Sequence, residues 1–141
     1  MSEMQTGSSS ITVKGLAMDS LLNDVNAILG QYTKNVNMTM QSTFDITARD
    51  AVKKLKTTSP KAPGGGEYAK NWAVKKEYGK DIVYNKAPTY RLTHLLENGH
   101  DIVHNGQKVG HAAAQPHIKP VEEWVQEELP KRLEEALGNV N

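Results

Sequence analysis

The chain has 141 residues, of which 38% are hydrophobic, 23% are charged and none is cysteine. This length suffices for one compact core and is too short for two ordinary domains. The absence of cysteine excludes disulfides, thiolate metal sites and cysteine nucleophiles. A formal net charge of +1 excludes the strong basic excess that is typical of nucleic-acid-binding proteins.

The charges are segregated along the sequence. Residues 49–91 hold 11 basic and 4 acidic residues, a net charge of +7, whereas residues 92–141 hold 4 basic and 8 acidic residues, a net charge of −4. This polarity favours complementary contacts between subunits or a locally basic lumen, and ordinary solvated faces produce it as well. With one Phe and two Trp, the chain has little aromatic core material, so we expect part of its apolar surface to be buried against neighbours.

The N-terminal segment carries no targeting signal. Residues 1–10 are small and polar, so we predict a flexible tail rather than a signal peptide. Residues 11–14 alternate like a strand, and no run approaches the ~20 apolar residues needed to span a bilayer.

A long helix is predicted over residues 18–56. Its apolar residues recur at spacings of three and four, the period of one helical face, and they are Leu22, Val25, Leu29, Tyr32, Val36, Phe44, Ala48, Val52 and Leu55. Because this spacing is not a strict heptad, we interpret the stripe as a core-facing side rather than an isolated coiled coil. Gly30 weakens the middle of the helix by roughly 1 kcal/mol, which leaves open whether there is one helix or two.

Residues 57–66 contain two prolines and three consecutive glycines and are predicted to be a flexible loop.

Residues 72–76 and 82–85 are short β-type runs whose separation suits a hairpin at the centre of a small sheet, with neighbouring strands added. Thr89 is a candidate N-cap for a short helix over residues 89–98.

The last part of the chain contains a turn and a helix. Asn105–Gly106 favours a two-residue hairpin turn, because both residues accept positive φ. Beyond Pro120, an apolar stripe with helical spacing predicts the terminal helix, which Pro130 is expected to kink. Its members are Val121, Trp124, Val125, Leu129, Leu133 and Leu137.

The histidines raise the question of a metal site. With a regular hairpin around Asn105–Gly106, His100, His104 and His111 share one face, and three imidazoles with water form a known zinc arrangement. However, the sequence has no H-E-x-x-H or H-x-x-E-H spacing, so we favour the interpretation that these histidines are polar loop or interface residues. We interpret His94 and His117 as satisfied packing residues.

Catalytic patterns are weak in this sequence. There is no Gly-x-Ser-x-Gly nucleophile elbow, and the paired glutamates of the terminal helix are explained by a solvated or partner-facing acidic side. Basic residues interleaved with Trp72, Tyr78 and Tyr84 leave a DNA-binding accessory role as an alternative.

Two stretches carry a resemblance to a known family. Residues 91–100 read Arg-Leu-Thr-His-Leu-Leu-Glu-Asn-Gly-His, and residues 115–120 read Gln-Pro-His-Ile-Lys-Pro. They resemble the R-L-x-H-x-x-E-x-G-H and Q-P-H-I-x-P landmarks of the HK97 gp10-like phage morphogenesis family. The resemblance implies a non-enzymatic head–tail connector, neck or tail-completion protein of a long-tailed phage. It also implies a homo-oligomeric ring of six- or twelve-fold symmetry that contacts adjacent connector and tail proteins.

The sequence therefore predicts an α+β protein: a tail over residues 1–10, then one connector-type domain over residues 11–141 with the loop at 57–66. It combines a long N-terminal helical segment, a small antiparallel sheet, a short helix and a C-terminal helix. We expect no catalytic residues and no cofactor, and a location in the virion after assembly in the bacterial cytoplasm, with DNA passing through the ring lumen without sequence-specific binding. The candidate assembly residues are Lys75, Lys76, Arg91, His117, Glu122, Glu123, Trp124 and Glu127.

Overall fold

The computed structural model describes residues 16–61 and 65–140, with side chains from Asp19 onward in the first helix. The predicted tail over residues 1–10 and the strand over residues 11–14 lie outside the described residues. The order of helices and strands is α1 (Leu16–Thr58), α2 (Glu67–Lys70), β1 (Trp72–Glu77), β2 (Lys80–Asn85), α3 (Thr93–Asn98), β3 (His100–His104), β4 (Gln107–Ala112) and α4 (Ile118–Leu137). The predicted α+β class is confirmed.

Helix α1 is a single helix of 43 residues. It continues through Gly30, because the surrounding residues supply enough helical hydrogen bonds to absorb the cost of one glycine. It also extends through Thr58, two residues into the segment predicted to be a loop. Ser59 then turns the chain and is buried.

The strands form two separate two-stranded sheets, β1–β2 and β3–β4. The expectation of one sheet built around the first hairpin is therefore wrong in this respect. Tyr78 and Gly79 have φ of 51° and 75°, the two positive values that a tight primed turn requires. This turn is shorter than the five-residue connection predicted, and each strand is correspondingly longer.

The second hairpin has the predicted turn and a different register. His104 pairs with Gln107, and Val103 pairs with Lys108, as expected for the turn at Asn105–Gly106. A bulge between Ile102 and Val103 then shifts every later pair by one residue. A one-residue shift moves a side chain to the other face of a strand.

The region before α3 departs from the predicted single helix over residues 89–98. Thr89–Leu92 form a 3-10 turn that α3 follows. Thr89 is not the N-cap, because its hydroxyl is used in tertiary contacts: it donates to the Asn85 side-chain oxygen and accepts from the Asn71 side-chain amide.

The core lies between the second half of α1, α2, β1 and the start of α4. Its buried cluster consists of Ala51, Leu55, Tyr68, Trp72 and Val121. The indole N–H of Trp72 donates to Ser59 Oγ at 2.8 Å, so the end of α1 is fixed to β1. Helix α4 packs along α1, runs through Pro130, and places Arg132 2.8 Å from Asp50 on α1.

No helix within residues 16–61 and 65–140 combines the length and apolar character needed to cross a bilayer.

Candidate functional site

The two sequence landmarks meet at a joint between α3 and α4. Glu97, in the last turn of α3, accepts hydrogen bonds from the backbone N–H groups of His117, Ile118 and Lys119 at 2.8, 2.8 and 3.0 Å. These groups lie at the start of α4, where a helix leaves donors unpaired and carries partial positive charge. Burial alone would raise the pKa of Glu97, but the three donors outweigh it and lower that pKa. Glu97 is therefore a carboxylate that caps α4.

His117 lies inside this joint and is only 3% exposed. Its Nδ1 is 2.8 Å from the Gln115 carbonyl oxygen and 3.0 Å from Glu97 Oε1. Both partners are acceptors, so Nδ1 carries a proton and Nε2 accepts from the Tyr68 hydroxyl at 2.7 Å. Burial, and then the Glu97 charge, raises the pKa of Tyr68 to about 12. The packing role predicted for His117 is confirmed, and its candidacy as an exposed assembly residue is corrected, because its side chain faces the core.

Gly99 completes the joint at the start of β3. Its φ is 76°, and a Cβ there would lie 2.6 Å from the Ala112 carbonyl oxygen and 2.8 Å from the Ala114 nitrogen. Positive φ and this close backbone approach together require glycine. Arg91 and His94, from the same landmark, are exposed. The packing role predicted for His94 is therefore wrong, while Arg91 stays a surface candidate.

The candidates on α4 divide into exposed and packed residues. Glu122, Glu123 and Glu127 are exposed. Trp124 is partly buried and packs against the core cluster, with Lys54 Nζ 4.6 Å from the centre of its ring. Its free edge lines a groove of about 470 Å³ between the end of α1 and the start of α4. Trp124 thus belongs partly to the domain core and partly to the surface next to the acidic residues.

The two lysine candidates on β1 have different environments. Lys76 Nζ lies 2.8 Å from Asp45 Oδ1 and 3.3 Å from Asp81 Oδ1, so its charge joins β1 to α1 and β2. The hydrogen bond from Lys76, with a further one involving Asp81, lowers the pKa of Asp45 to about 2. Desolvation raises the pKa of Asp81. Lys75 is equally exposed but has one carboxylate partner, Glu77 at 3.3 Å, and its Nζ lies 4.8 Å from the centre of the Tyr84 ring, so its charge is less fully neutralised.

The histidines predicted to share a face do not converge. Because of the bulge, His111 pairs with Asp101 rather than lying opposite His100, and His111 Nδ1 is 2.9 Å from Asp101 Oδ1. His111, followed by Lys108, lowers the pKa of Asp101. Within residues 16–61 and 65–140, no group of three or more His, Asp or Glu side chains is placed to hold a metal ion.

The first half of α1 exposes a row of large apolar side chains. We call residues 19–38 the arm. Leu21, Val25, Ile28, Leu29 and Tyr32 are between 42% and 67% exposed. The interpretation of this part of the stripe as core-facing is therefore wrong, because α4 ends near Thr43 and Ile46, where Asn139 lines a shared groove. Only the part of the stripe from residue 44 onward is covered by the domain.

The β3–β4 hairpin also extends from the domain. It makes few contacts with other helices and strands, and Ile102, Val103 and Val109 are 44%, 60% and 63% exposed. An isolated two-stranded hairpin is only marginally stable in water. None of the candidate assembly residues predicted from the sequence lies on the arm or on this hairpin. The near absence of charge over residues 25–44, where Lys34 is the only charged residue, was the available signal for the arm.

No family model, curated protein or solved structure matches this chain.

Proposed function

We propose that this chain is a structural virion protein of a tailed phage, which forms a homo-oligomeric ring at the head–tail junction and joins head to tail. The observation that carries the proposal is the contrast between a small buried core and two extended elements, the arm and the β3–β4 hairpin. Both keep large apolar side chains in water, and contiguous exposed apolar surface is typical of sites that bind other proteins.

The joint also supports the proposal. Glu97, Gly99 and His117 occupy three landmark positions, and each has a defined structural task in holding α3, β3 and α4 together. A domain architecture shared with the family would require these residue types at these positions.

The proposed partners follow from this role. The chain would contact further copies of itself, in a six- or twelve-fold ring, and the connector and tail proteins above and below. The basic excess over residues 49–91 suits a lumen through which DNA passes without base-specific contacts. The histidine metal site loses its geometric basis, because His111 pairs with Asp101.

The test is made in the phage that encodes the chain. Removing the gene should leave filled heads and finished tails that do not join, as counted by electron microscopy, and supplying the protein should restore joined particles. Mass spectrometry of purified virions should detect the chain in a ring-sized copy number. Normal virions that lack the protein would overturn the proposal.

A further inference from the structure

Within the part of the chain that the structure describes, no other helix or strand covers the apolar face of the arm. From residue 19 to residue 38, the arm extends for about 29 Å at 1.5 Å per residue. A helix buries its apolar stripe against another element, and this face has no such element among residues 16–61 and 65–140.

The spacing on the arm is that of helix-to-helix packing. Leu21, Val25, Ile28 and Tyr32 follow each other at intervals of four, three and four, which is the alternation of a and d positions in a coiled coil. The stripe over the whole of α1 is not a strict heptad, but residues 21–32 keep this alternation. This pattern is self-complementary, because side chains from one copy fit between those of the same row on another copy.

The arm's charges also suit a second copy. Asp19, Asp24 and Lys34 are the charged residues of the arm, and none of them lies in the exposed apolar row. Two arms therefore meet without like charges in their contact. On the opposite side of the helix, Ser20, Asn23 and Ala27 are small or polar and exposed, so the helix has one apolar side and one side suited to water.

The apolar face is wider than a two-helix contact needs. Leu22, Leu29 and Val36 form a second row beside the first, and apolar a, d and e positions are typical of helices with more than one neighbour. We infer that the arm packs lengthwise against the arms of further copies of this chain, in a bundle that links the subunits. This inference rests on the exposed face alone and does not depend on the virion location.

The size of the face sets the strength of the association. A strip about 29 Å long and about 10 Å wide covers on the order of 290 Å² in projection, about a third of the ~800 Å² per partner of a standard stable interface. Free chains should therefore associate weakly and dissociate on dilution. Further contacts in an assembly would raise the local concentration of arms.

The experiment compares two triple variants of the full chain by sedimentation velocity. The first replaces exposed apolar residues, as Val25→Glu, Ile28→Glu and Leu29→Glu. The second places the same charge on the opposite side, as Ser20→Glu, Asn23→Glu and Ala27→Glu. We expect wild type and the second variant to gain mass equally as concentration rises from about 10 μM to about 1 mM, and the first to associate at least about tenfold more weakly.

A neutral variant separates the effect of apolar packing from that of charge repulsion. Circular dichroism and hydrogen exchange show whether the helix is retained and whether the arm is in contact. The neutral variant Val25→Gln, Ile28→Gln, Leu29→Gln should weaken association as well, because it removes apolar contact without adding charge; if it associates like wild type, apolar packing is overturned. Circular dichroism should show unchanged helix content in all variants at low concentration. In hydrogen exchange, amides over residues 19–38 should gain protection as the wild type is concentrated.

A wild type that stays monomeric at about 1 mM, or a Glu variant of the apolar row that associates normally, overturns the inference. Neither result would contradict the proposed function, because virion composition and head–tail joining test that proposal separately. Conversely, absence from virions would not affect association of the free chain.

Discussion

At the scale of single residues, each polar side chain of the joint has a structural partner. A histidine, a tyrosine and a glutamate within hydrogen-bonding distance resemble an acid–base relay. Here, however, each polar atom is used to pair backbone groups or to fill the core: Glu97 accepts three backbone N–H groups, and His117 connects Tyr68 to the Gln115 carbonyl. The result is a fixed angle between α3 and α4.

The Tyr68 hydroxyl provides a direct test of this interpretation. Tyr68→Phe leaves His117 Nε2 buried without its donor, so we expect a loss of about 1–3 kcal/mol in the free energy of unfolding. Tyr78→Phe is the matched control, because Tyr78 is 96% exposed at the β1–β2 turn and should change stability by less than about 0.5 kcal/mol. Urea denaturation of both variants measures the difference, and equal stability would show that the hydrogen bond does not hold the joint.

The lowered pKa of Glu97 predicts how the stability of the folded protein depends on pH. Its pKa is lowered in the folded state, so the folded protein binds this proton less readily than the unfolded chain does. The stabilisation is therefore fully present above the ordinary glutamate pKa and is lost as pH falls through the lowered value.

Comparison of wild type with Glu97→Gln isolates this contribution. At pH 7 we expect the variant to be less stable by about 1–2 kcal/mol, because a neutral amide oxygen caps the helix less well than a carboxylate does. The difference should begin to shrink as pH falls below about 4.5, where Glu97 of the unfolded chain becomes protonated, and should disappear below the lowered pKa, where folded Glu97 becomes neutral too. Asp45, whose pKa is also low, titrates in both proteins and cancels. A stability difference that does not vary with pH would contradict the capping role.

At the scale of helices and strands, sequence patterns predicted local structure well and its surroundings poorly. Periodicity located α1 and α4, and Asn105–Gly106 marked the hairpin turn because the required φ values are a local property. The bulge between Ile102 and Val103 was not foreseeable, because the turn residues determine only the pairs next to the turn.

Apolar spacing alone could not predict that the arm is exposed. Apolar spacing identifies the side of a helix that is to be buried, but the identical pattern arises whether the covering element is α4 or another chain. Phe44 and Val25 look equivalent in the sequence. Only the position where α4 ends separates the covered part of the stripe from the exposed part.

Trp124 tests whether α4 belongs to the domain core. Because the indole packs against the core cluster and lies under Lys54, Trp124→Ala should destabilise the free chain by about 2–4 kcal/mol, less than the full cost for a completely buried tryptophan. Thermal melting gives the measurement. An unchanged midpoint with lost incorporation into virions would instead assign Trp124 to a subunit interface.

At the scale of the whole molecule, the segregation of basic and acidic residues along the sequence is only partly present on the surface of the folded protein. Lys76 and Arg132 are neutralised by Asp45 and Asp50 within the chain, which leaves fewer free cations than the sequence suggests. The acidic residues at the start of α4 remain exposed, as does Lys75 on β1. In the proposed assembly, electrostatic steering between subunits would therefore depend chiefly on Glu122, Glu123 and Glu127 on one side and on exposed lysines such as Lys75 on the other.

Reversing the three glutamates to lysine tests that steering. The triple variant Glu122→Lys, Glu123→Lys, Glu127→Lys should fold, because these side chains are exposed and the Glu127–Lys131 pair at 3.8 Å is too solvated to contribute much. The joining of heads to tails should fall, since the acidic surface no longer attracts the basic residues of a neighbour. The wild-type contact should also weaken with salt over the range in which the Debye length drops from about 10 Å to about 3 Å.

The control changes the same kind of charge at the other end of α4, as Glu134→Lys, Glu135→Lys, where both glutamates are exposed. Joined particles counted by electron microscopy should remain near wild type in this control and decrease in the triple variant. If both variants lose joining equally, net charge rather than the position of the acidic residues controls assembly. If the triple variant folds and the phage titre is unchanged, attraction between these surfaces is not required, and the apolar arm and hairpin must provide the specificity by shape.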